Sequence, residues 1–356
     1  MACELWRGKT VGVTVCSANL NADRELLIDA FTRYLNPLYD ARKFDWLYHE
    51  NPHGEARAWI ATDPGHNTIV GVAAAFPRRM YIDGHEECGW VLGDFCIHEQ
   101  YRSLGPALQL QRACLDAVDT ALLPFCFDFP SARMVAVYKR LRIDAREDML
   151  RLAKPLRVDR KVTEVVHNHA LAYSLSAVGN LMLALRDSSP THTSAVTMSF
   201  HHDKCGEEFS KLDREMSGRH RVAIQRSADY LNWRYLANPL YTCEILTARH
   251  HGALIAYAIF EQTDEDATLV DLFGIENPTV IRSLVEEMVV ILRKRGVITL
   301  SAPILASHPW VALLQQMGFK TREACPLIVY GSPYFYAKYN AAKGLSWFFM
   351  SGDRDS

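Results

Sequence analysis

The chain has 356 residues, a formal charge of −2 at pH 7, 22% charged residues and 49% hydrophobic ones. That length suits two domains or one large one, and the composition is that of a chain with a proper core, which excludes disorder. The charge leaves no global positive field to hold nucleic acid or an anionic membrane.

The first ten residues, MACELWRGKT, contain no hydrophobic signal core. A strand over Thr10 to Cys16 and a helix over Ala22 to Tyr34 come next. Residues 46–52 then read Trp-Leu-Tyr-His-Glu-Asn-Pro, and residues 233–239 read Trp-Arg-Tyr-Leu-Ala-Asn-Pro. The shared W-x-Y-x-x-N-P opens an internal repeat, because the same signals follow both copies in the same order. After Pro52 come strands over Ala56 to Thr62 and Thr68 to Phe76; after Pro239 come Thr242 to Ala248 and Ala253 to Phe260. Trp90 to Ile97 and Thr268 to Ile275 each place an aspartate, Asp94 or Asp271, in a third strand. Helices follow at Pro106 to Leu122 and Pro278 to Arg295, each with proline at its start. Short strands, Pro124 to Phe129 and Val297 to Leu300, and a further helix complete each half. Between the halves, Ala170 to Leu185 is apolar but about four residues short of a membrane span, and interrupted by Asn180. It is expected to be a buried connecting helix, with a linker near 187–195.

Residues 98–107 read His-Glu-Gln-Tyr-Arg-Ser-Leu-Gly-Pro-Ala, between a strand and a helix. Arg102, Gly105 and Ala107 give R-x-x-G-x-A. A helix start presents free amides and a positive dipole end. Gly105 and Ala107 let an anion come close to the backbone, and Arg102 adds a charged fork. Pro106 removes one N–H from the cradle. The pattern resembles the acyl-CoA signature of the GNAT superfamily of CoA-dependent N-acyltransferases, over roughly residues 9–156. The resemblance implies an α/β fold of two GNAT-like halves, each with a mixed, mostly antiparallel central sheet flanked by helices. It implies a first domain over 1–156 with the acyl-CoA site, a connecting helix and linker over 157–205, and a second GNAT-like domain over 206–356. It further implies that the backbone of Phe95, Cys96 and Ile97 holds the pantetheine arm, and that Arg102, Ser103, Leu104, Gly105, Pro106 and Ala107 hold the pyrophosphate. The second half has Glu276-Asn277-Pro278 in place of the motif, so no CoA site is expected there.

Acyl transfer to an amine needs a base for the ammonium and an acid for the leaving thiolate. Tyr138, in a stretch similar to the family's A-x-x-x-Y-x-x-L-G-F, is the candidate acid; Leu314 stands at its place in the second half. Asp94 is the candidate base, with Asp128, Glu86 and Glu87 behind it. Because Asp271 repeats Asp94, a structural role for both stays open. Trp46, Tyr48, Asn51 and Pro52 are read as architectural, with walling of the acceptor pocket as the alternative. Fourteen histidines show no metal-ligand spacing, so no metal is expected. The nine cysteines, with no CxxC pair, read as buried thiols of a cytoplasmic protein. The tail from Trp347 is read as a frayed end, or else as a cover presenting Asp353 or Asp355 to an amine. The expected activity is transfer of an acetyl or other acyl group from CoA to a primary amine of a small molecule, such as an amino sugar or glycan precursor, with no nucleic acid partner and no membrane span. A CoA-binding sensor without turnover, or transfer from aminoacyl-tRNA or an acyl carrier protein, are the alternatives.

Overall fold

The computed structural model describes residues 12–66, 68–102, 104–186, 196–339 and 346–354. The expected linker at 187–195, Ser103 and Asp355 lie outside them.

The first half runs β1 (Thr14–Ser17), α1 (Arg24–Tyr34), α2 (Ala41–Tyr48), β2 (Arg57–Asp63), β3 (Thr68–Ile82), β4 (His85–Ile97), α3 (Leu104–Asp119), β5 (Phe125–Asp128), α4 (Ala132–Arg140) and β6 (Ala145–Pro155). Two connecting helices follow, α5 (Asp159–Val165) and α6 (His169–Arg186). The second half has β7 (Val196–His201), α7 (Glu207–Met216), β8 (Val222–Ile224), α8 (Ala228–Leu231), β9 (Cys243–His250), β10 (Ala253–Thr263), β11 (Asp266–Gly274), α9 (Pro278–Lys294), β12 (Thr299–Leu305), α10 (Val311–Gln316), β13 (Lys320–Gly331), α11 (Pro333–Lys338) and β14 (Trp347–Phe348). The order β2 to β6 is thus repeated by β9 to β13, helices included.

β3 shows why the sheet is covered on both faces. Its residues alternate, with Ala74 and Phe76 in one apolar cluster and Ala73 and Ala75 in the other. Leu110, Cys114 and Val118 of α3 pack on the second face; Phe31 of α1 and Phe44 and Leu47 of α2 pack on the first. The first cluster continues into the second half, where α9 contributes Ile281, Leu284 and Met288.

One sheet runs through both halves, in the order β1-β2-β3-β4-β5-β13-β6-β12-β11-β10-β9-β7. The order crosses over in the middle. β13, the last long strand of the second half, pairs with β5 of the first (Ile328 opposite Asp128), while β6 pairs with β12 (Leu305 opposite Met149). β6 and β13 also pair with each other. The two halves have exchanged strands.

The repeated tryptophans meet. Trp46 Nε1 donates to the carbonyl of Trp233 at 2.9 Å, and Trp233 Nε1 donates to the carbonyl of Trp46 at 2.8 Å. Their rings stack with centroids 5.0 Å apart. Asn51 and Asn238 each accept from the amide two residues on, at 3.0 and 2.8 Å, giving both copies the same turn.

Two expectations are corrected. The tail is not frayed. Trp347, Phe348, Phe349 and Met350 are buried, and β14 pairs with β8. Apolar burial of four large side chains outweighs the ordering of a chain end. Nor is α6 buried: its inward face is made of small residues, and most of its large apolar side chains face outward. Among the described residues no helix is long and apolar enough to cross a membrane.

Candidate active site

β4 and β5 are parallel neighbours for only two residue pairs, Trp90 with Cys126 and Val91 with Phe127. From Leu92 onward they part. On its other edge β4 carries a bulge against β3. Val72 lies opposite Cys96 and Ala74 opposite Gly93, so Asp94 and Phe95 together face Ala73. Asp94 takes the left-handed conformation, φ 45°, as the first residue of such a bulge can. The kink turns β4 away from β5 and opens a cleft.

A cavity of about 480 Å³ occupies the outer part of this cleft. Phe95, Cys96, Ile97, Arg102 and Ala107 line it, facing Ser131, Arg133 and Met134 of the β5–α4 turn and α4. The structure therefore brings together five residues expected to hold CoA. Cys96 pairs with Val72, and the amide of His98 donates to Val70 at 2.7 Å. By alternation the backbone groups of Phe95 and Ile97 point the other way, into the cleft, and Arg102 Nε donates to the Ile97 carbonyl at 3.2 Å. The helix begins at Leu104, two residues before the expected start at Pro106. That puts the Leu104 and Gly105 amides in the first turn, where no intrahelical acceptor exists. Pro106 is buried, and a Cβ on Gly105 would meet nothing within 4 Å. Open space stands beside the backbone where an anion is expected.

A second cavity, of about 590 Å³, adjoins the first through Phe95, Ser131 and Met134. Its walls come from both halves: Asp94, Gln111 and Asp128 from the first, Arg234, Glu261, Ser351 and Arg354 from the second. Asp94 is buried. Its Oδ2 accepts from Tyr39 at 2.7 Å and from Tyr48 at 3.1 Å, and Lys43 Nζ is 4.0 Å from its Oδ1. Burial first, and the Asp94 charge second, push both phenols far up, so each remains a donor. Tyr138 is buried, and its hydroxyl donates to Asp128 Oδ2 at 2.6 Å while accepting from Gln111 Nε2 at 3.0 Å. Burial pushes the Tyr138 hydroxyl well up, and pushes the Asp128 carboxyl up to about 6 against the bond from Tyr138, the Phe129 amide and the Arg354 charge. Asp128, not Tyr138, reaches the cavity wall.

The other candidates lie elsewhere. Burial opposes ionisation of Glu87, but bonds from Lys338 and Tyr339 outweigh it and hold its carboxyl below the ordinary range. Burial raises the Cys96 thiol to about 12 and pushes the Cys126 thiol well up too, leaving neither a ready nucleophile.

No protein-family model matches the chain, and no curated protein matches it in sequence. Its fold, however, is shared by solved structures. A probable N-acyltransferase from Enterococcus faecalis superposes with a TM-score of 0.64 at 10% identity, over 91% of this chain and 74% of that one. A GCN5-related N-acetyltransferase from Anabaena variabilis gives 0.62 at 12% identity, over 89% and 72%. The N-myristoyltransferase of Saccharomyces cerevisiae, solved with myristoyl-CoA, gives 0.59 at 11% identity, over 92% and 85%. At such identities the likeness is one of architecture. This is a GNAT fold.

Within the GNAT fold the second half keeps the parting strands but not the opening. β11 and β12 pair only from Asp266 to Thr268. The space beyond is filled by the chain's own tail. Met350 bridges Ile304, the Phe349 carbonyl accepts from Leu305 at 3.2 Å, and a Cβ on Gly352 would lie 2.9 Å from the Val270 carbonyl. Asp353 turns inward to Arg226 (3.1 Å), which also holds Asp271 (3.0 Å), all three buried. Asp353 thus meets a guanidinium, not a substrate amine. The first-turn amides of α9 at Thr279 and Val280 donate to the Asn277 side chain, at 3.0 and 3.4 Å, and are not available as a cradle. What sequence reasoning missed was the contribution of Arg234, Ser351 and Arg354 to the cavity. The hints were the adjacency of Arg234 to the repeated tryptophan and the alternative reading of the tail as a cover, which is the part of the chain that supplies Ser351 and Arg354.

Proposed function

We propose that this chain is an acyl-CoA N-acyltransferase, with the donor in the cleft beside β4 and a small primary amine in the larger cavity. The observation that supports it most is the parting of β4 from β5 beyond Val91, into a cleft lined by Arg102 and Ala107, with room for a side chain at Gly105 between them. Acetyl-CoA is the default donor. Phe95 and Ile97 would offer backbone groups to the pantetheine, and Arg102 with the first turn of α3 would face the pyrophosphate. The fit holds on residue chemistry: cations, helix amides and a glycine with room beside it. The larger cavity falls in the size range of small-ligand sites, and eight free cysteines among the described residues suit a reducing cytoplasm.

In the reaction the amine nitrogen bonds to the thioester carbonyl carbon, the C–S bond breaks, and CoA leaves as its thiol. Two protons leave the ammonium as it becomes an amide: one goes to a base before attack, and the second passes from the nitrogen of the tetrahedral adduct to the departing sulfur. Asp128 is our choice for the base: it is at the cavity wall and titrates near 6. Tyr138, whose proton is engaged by Asp128, acts in this reading by holding that carboxylate in place. The acid role expected of Tyr138 would require it to give up a proton that Asp128 accepts. Asp94 anchors α2 to the bulge.

Gly105→Glu is the test. The carboxylate enters the space meant for phosphates, while its Cβ clashes with nothing and an acid suits a helix start. CoA affinity measured by calorimetry should fall about 100-fold or more, with the melting temperature unchanged. Equal affinity in the variant would end the site assignment. Thiol release from acetyl-CoA with a panel of amines separates turnover from a binding-only role.

A further inference from the structure

A cation is favoured near the C-terminal end of a helix and opposed at its start, where the unbonded amides are already positive. Arg133 is placed against that rule. It is the second residue of α4, whose first turn contains no acid to offset it. Ser131 caps the helix by accepting from the Met134 amide at 3.4 Å, which fixes the arginine where the dipole opposes it. The Arg133 guanidinium is exposed and makes no hydrogen bond or ion pair among the described residues. This position costs stability, and an anionic ligand would offset the cost.

Arg133 faces the donor cleft. The smaller cavity has Arg102 on its β4 side and Arg133 on its α4 side, and no carboxylate is among the described residues that line it. Arg102 uses its Nε on the Ile97 carbonyl, and its outer nitrogens have no other partner among the described residues. The larger cavity differs: there Asp94, Asp128 and Glu261 share the wall with Lys43, Arg234 and Arg354. Cations on two walls with no acid between them suit a ligand that is negative in two places.

The donor reading given above, on which this inference rests, puts the pyrophosphate at Arg102 and the first turn of α3. Coenzyme A carries a second anionic group, the 3′-phosphate of its ribose. As a phosphate monoester it is close to doubly charged at pH 7, and a guanidinium fork matches its oxygens. We propose that Arg133 binds this 3′-phosphate, so that the cavity reads the donor at two phosphate positions. The chain then prefers acyl-CoA to a donor that has the same thioester arm and pyrophosphate but ends in a 3′-hydroxyl.

Calorimetry on the full chain with CoA and with dephospho-CoA, which differ only in the 3′-phosphate, tests this. The wild type should bind CoA about 10-fold more tightly, the worth of one charge-assisted contact at an exposed site. In Arg133→Gln, CoA should weaken to the level of dephospho-CoA, whose own affinity stays that of the wild type. The melting temperature of this variant without ligand should not fall, because the side chain opposes its own helix dipole. Arg102→Gln should weaken both ligands alike. Lys139→Gln removes an exposed cation of the same helix that does not line the cavity, and should keep the preference. Raising the salt from about 0.05 to about 0.5 M should shrink the preference, since an exposed pair is screened. A wild type that binds the two ligands alike overturns the proposal, as does a preference that survives Arg133→Gln or is lost equally in Lys139→Gln. A wild type that binds neither ligand overturns the donor reading itself.

Discussion

A carboxyl hemmed in by apolar neighbours holds its proton longer, and Asp128 does so up to about 6, from an ordinary 3.8. Because the folded value is above the unfolded one, the native state binds more protons than the unfolded state between those two pH values. Stability from this residue is greatest below 3.8, falls as pH rises through the window, and is level above 6. Asp128→Asn keeps an acceptor for Tyr138 and removes the buried charge. It should raise stability at pH 8 by about 2 kcal/mol, allowing for water in the cavity, and leave it unchanged at pH 3.5; urea melts at both pH values measure this. The same change should lower turnover by about 100-fold or more, and wild-type kcat/KM should climb to a plateau just above pH 6. A flat profile there would remove Asp128 from the chemistry. The R-x-x-G-x-A residues could be proposed from sequence because strand, glycine and helix start are neighbours in the chain. Asp128 could not be singled out from sequence because what sets its proton affinity, the packing that buries it and the Arg354 charge that opposes that effect, is assembled only by the fold.

At the scale of elements, the bulge in β4 is the decisive irregularity. The strand itself could be read from its apolar run, but the left-handed residue could not. Gly93 stands next to Asp94 and is the natural candidate for positive φ, yet the aspartate adopts it. The two tyrosines that bond its carboxylate lie 46 and 55 residues away. Asp94→Ala should therefore destabilise by about 2–4 kcal/mol, part from alanine in a left-handed conformation and part from two stranded phenols. Asp94→Asn, which retains an acceptor, should cost under about 1 kcal/mol and keep most of the activity. Denaturant melts and initial rates on the pair decide the matter; an asparagine variant that folds normally but is inactive would return the base role to Asp94. α6 teaches the same lesson. Its apolar run was plain in sequence, but burial of the large side chains was the wrong inference, because the small residues were the ones chosen for contact.

For the whole molecule, the repeat was legible through W-x-Y-x-x-N-P, and with it the paired architecture. The strand exchange was not, because nothing local marks a partner about 200 residues away, as Ile328 is from Asp128. Exchange makes each half incomplete: β5 lacks its neighbour without β13, and β12 lacks its own without β6. Fragments made by cutting the chain between Arg186 and Val196 should each fail to give a cooperative melt alone and regain one when co-expressed. A fragment that melts cooperatively by itself, as followed by circular dichroism, would show that exchange is dispensable.

The reciprocal bonds between Trp46 and Trp233 form a contact of the kind two identical molecules make, here closed within one polypeptide. In a true homodimer any substitution strikes both subunits at once. Covalent fusion lifts that constraint and keeps the partners together at any dilution. One copy can then preserve an entrance while its twin trades it for an arginine clasp, an asparagine cap and a sealed terminus. Specialisation of the two copies is the freedom that the tether confers.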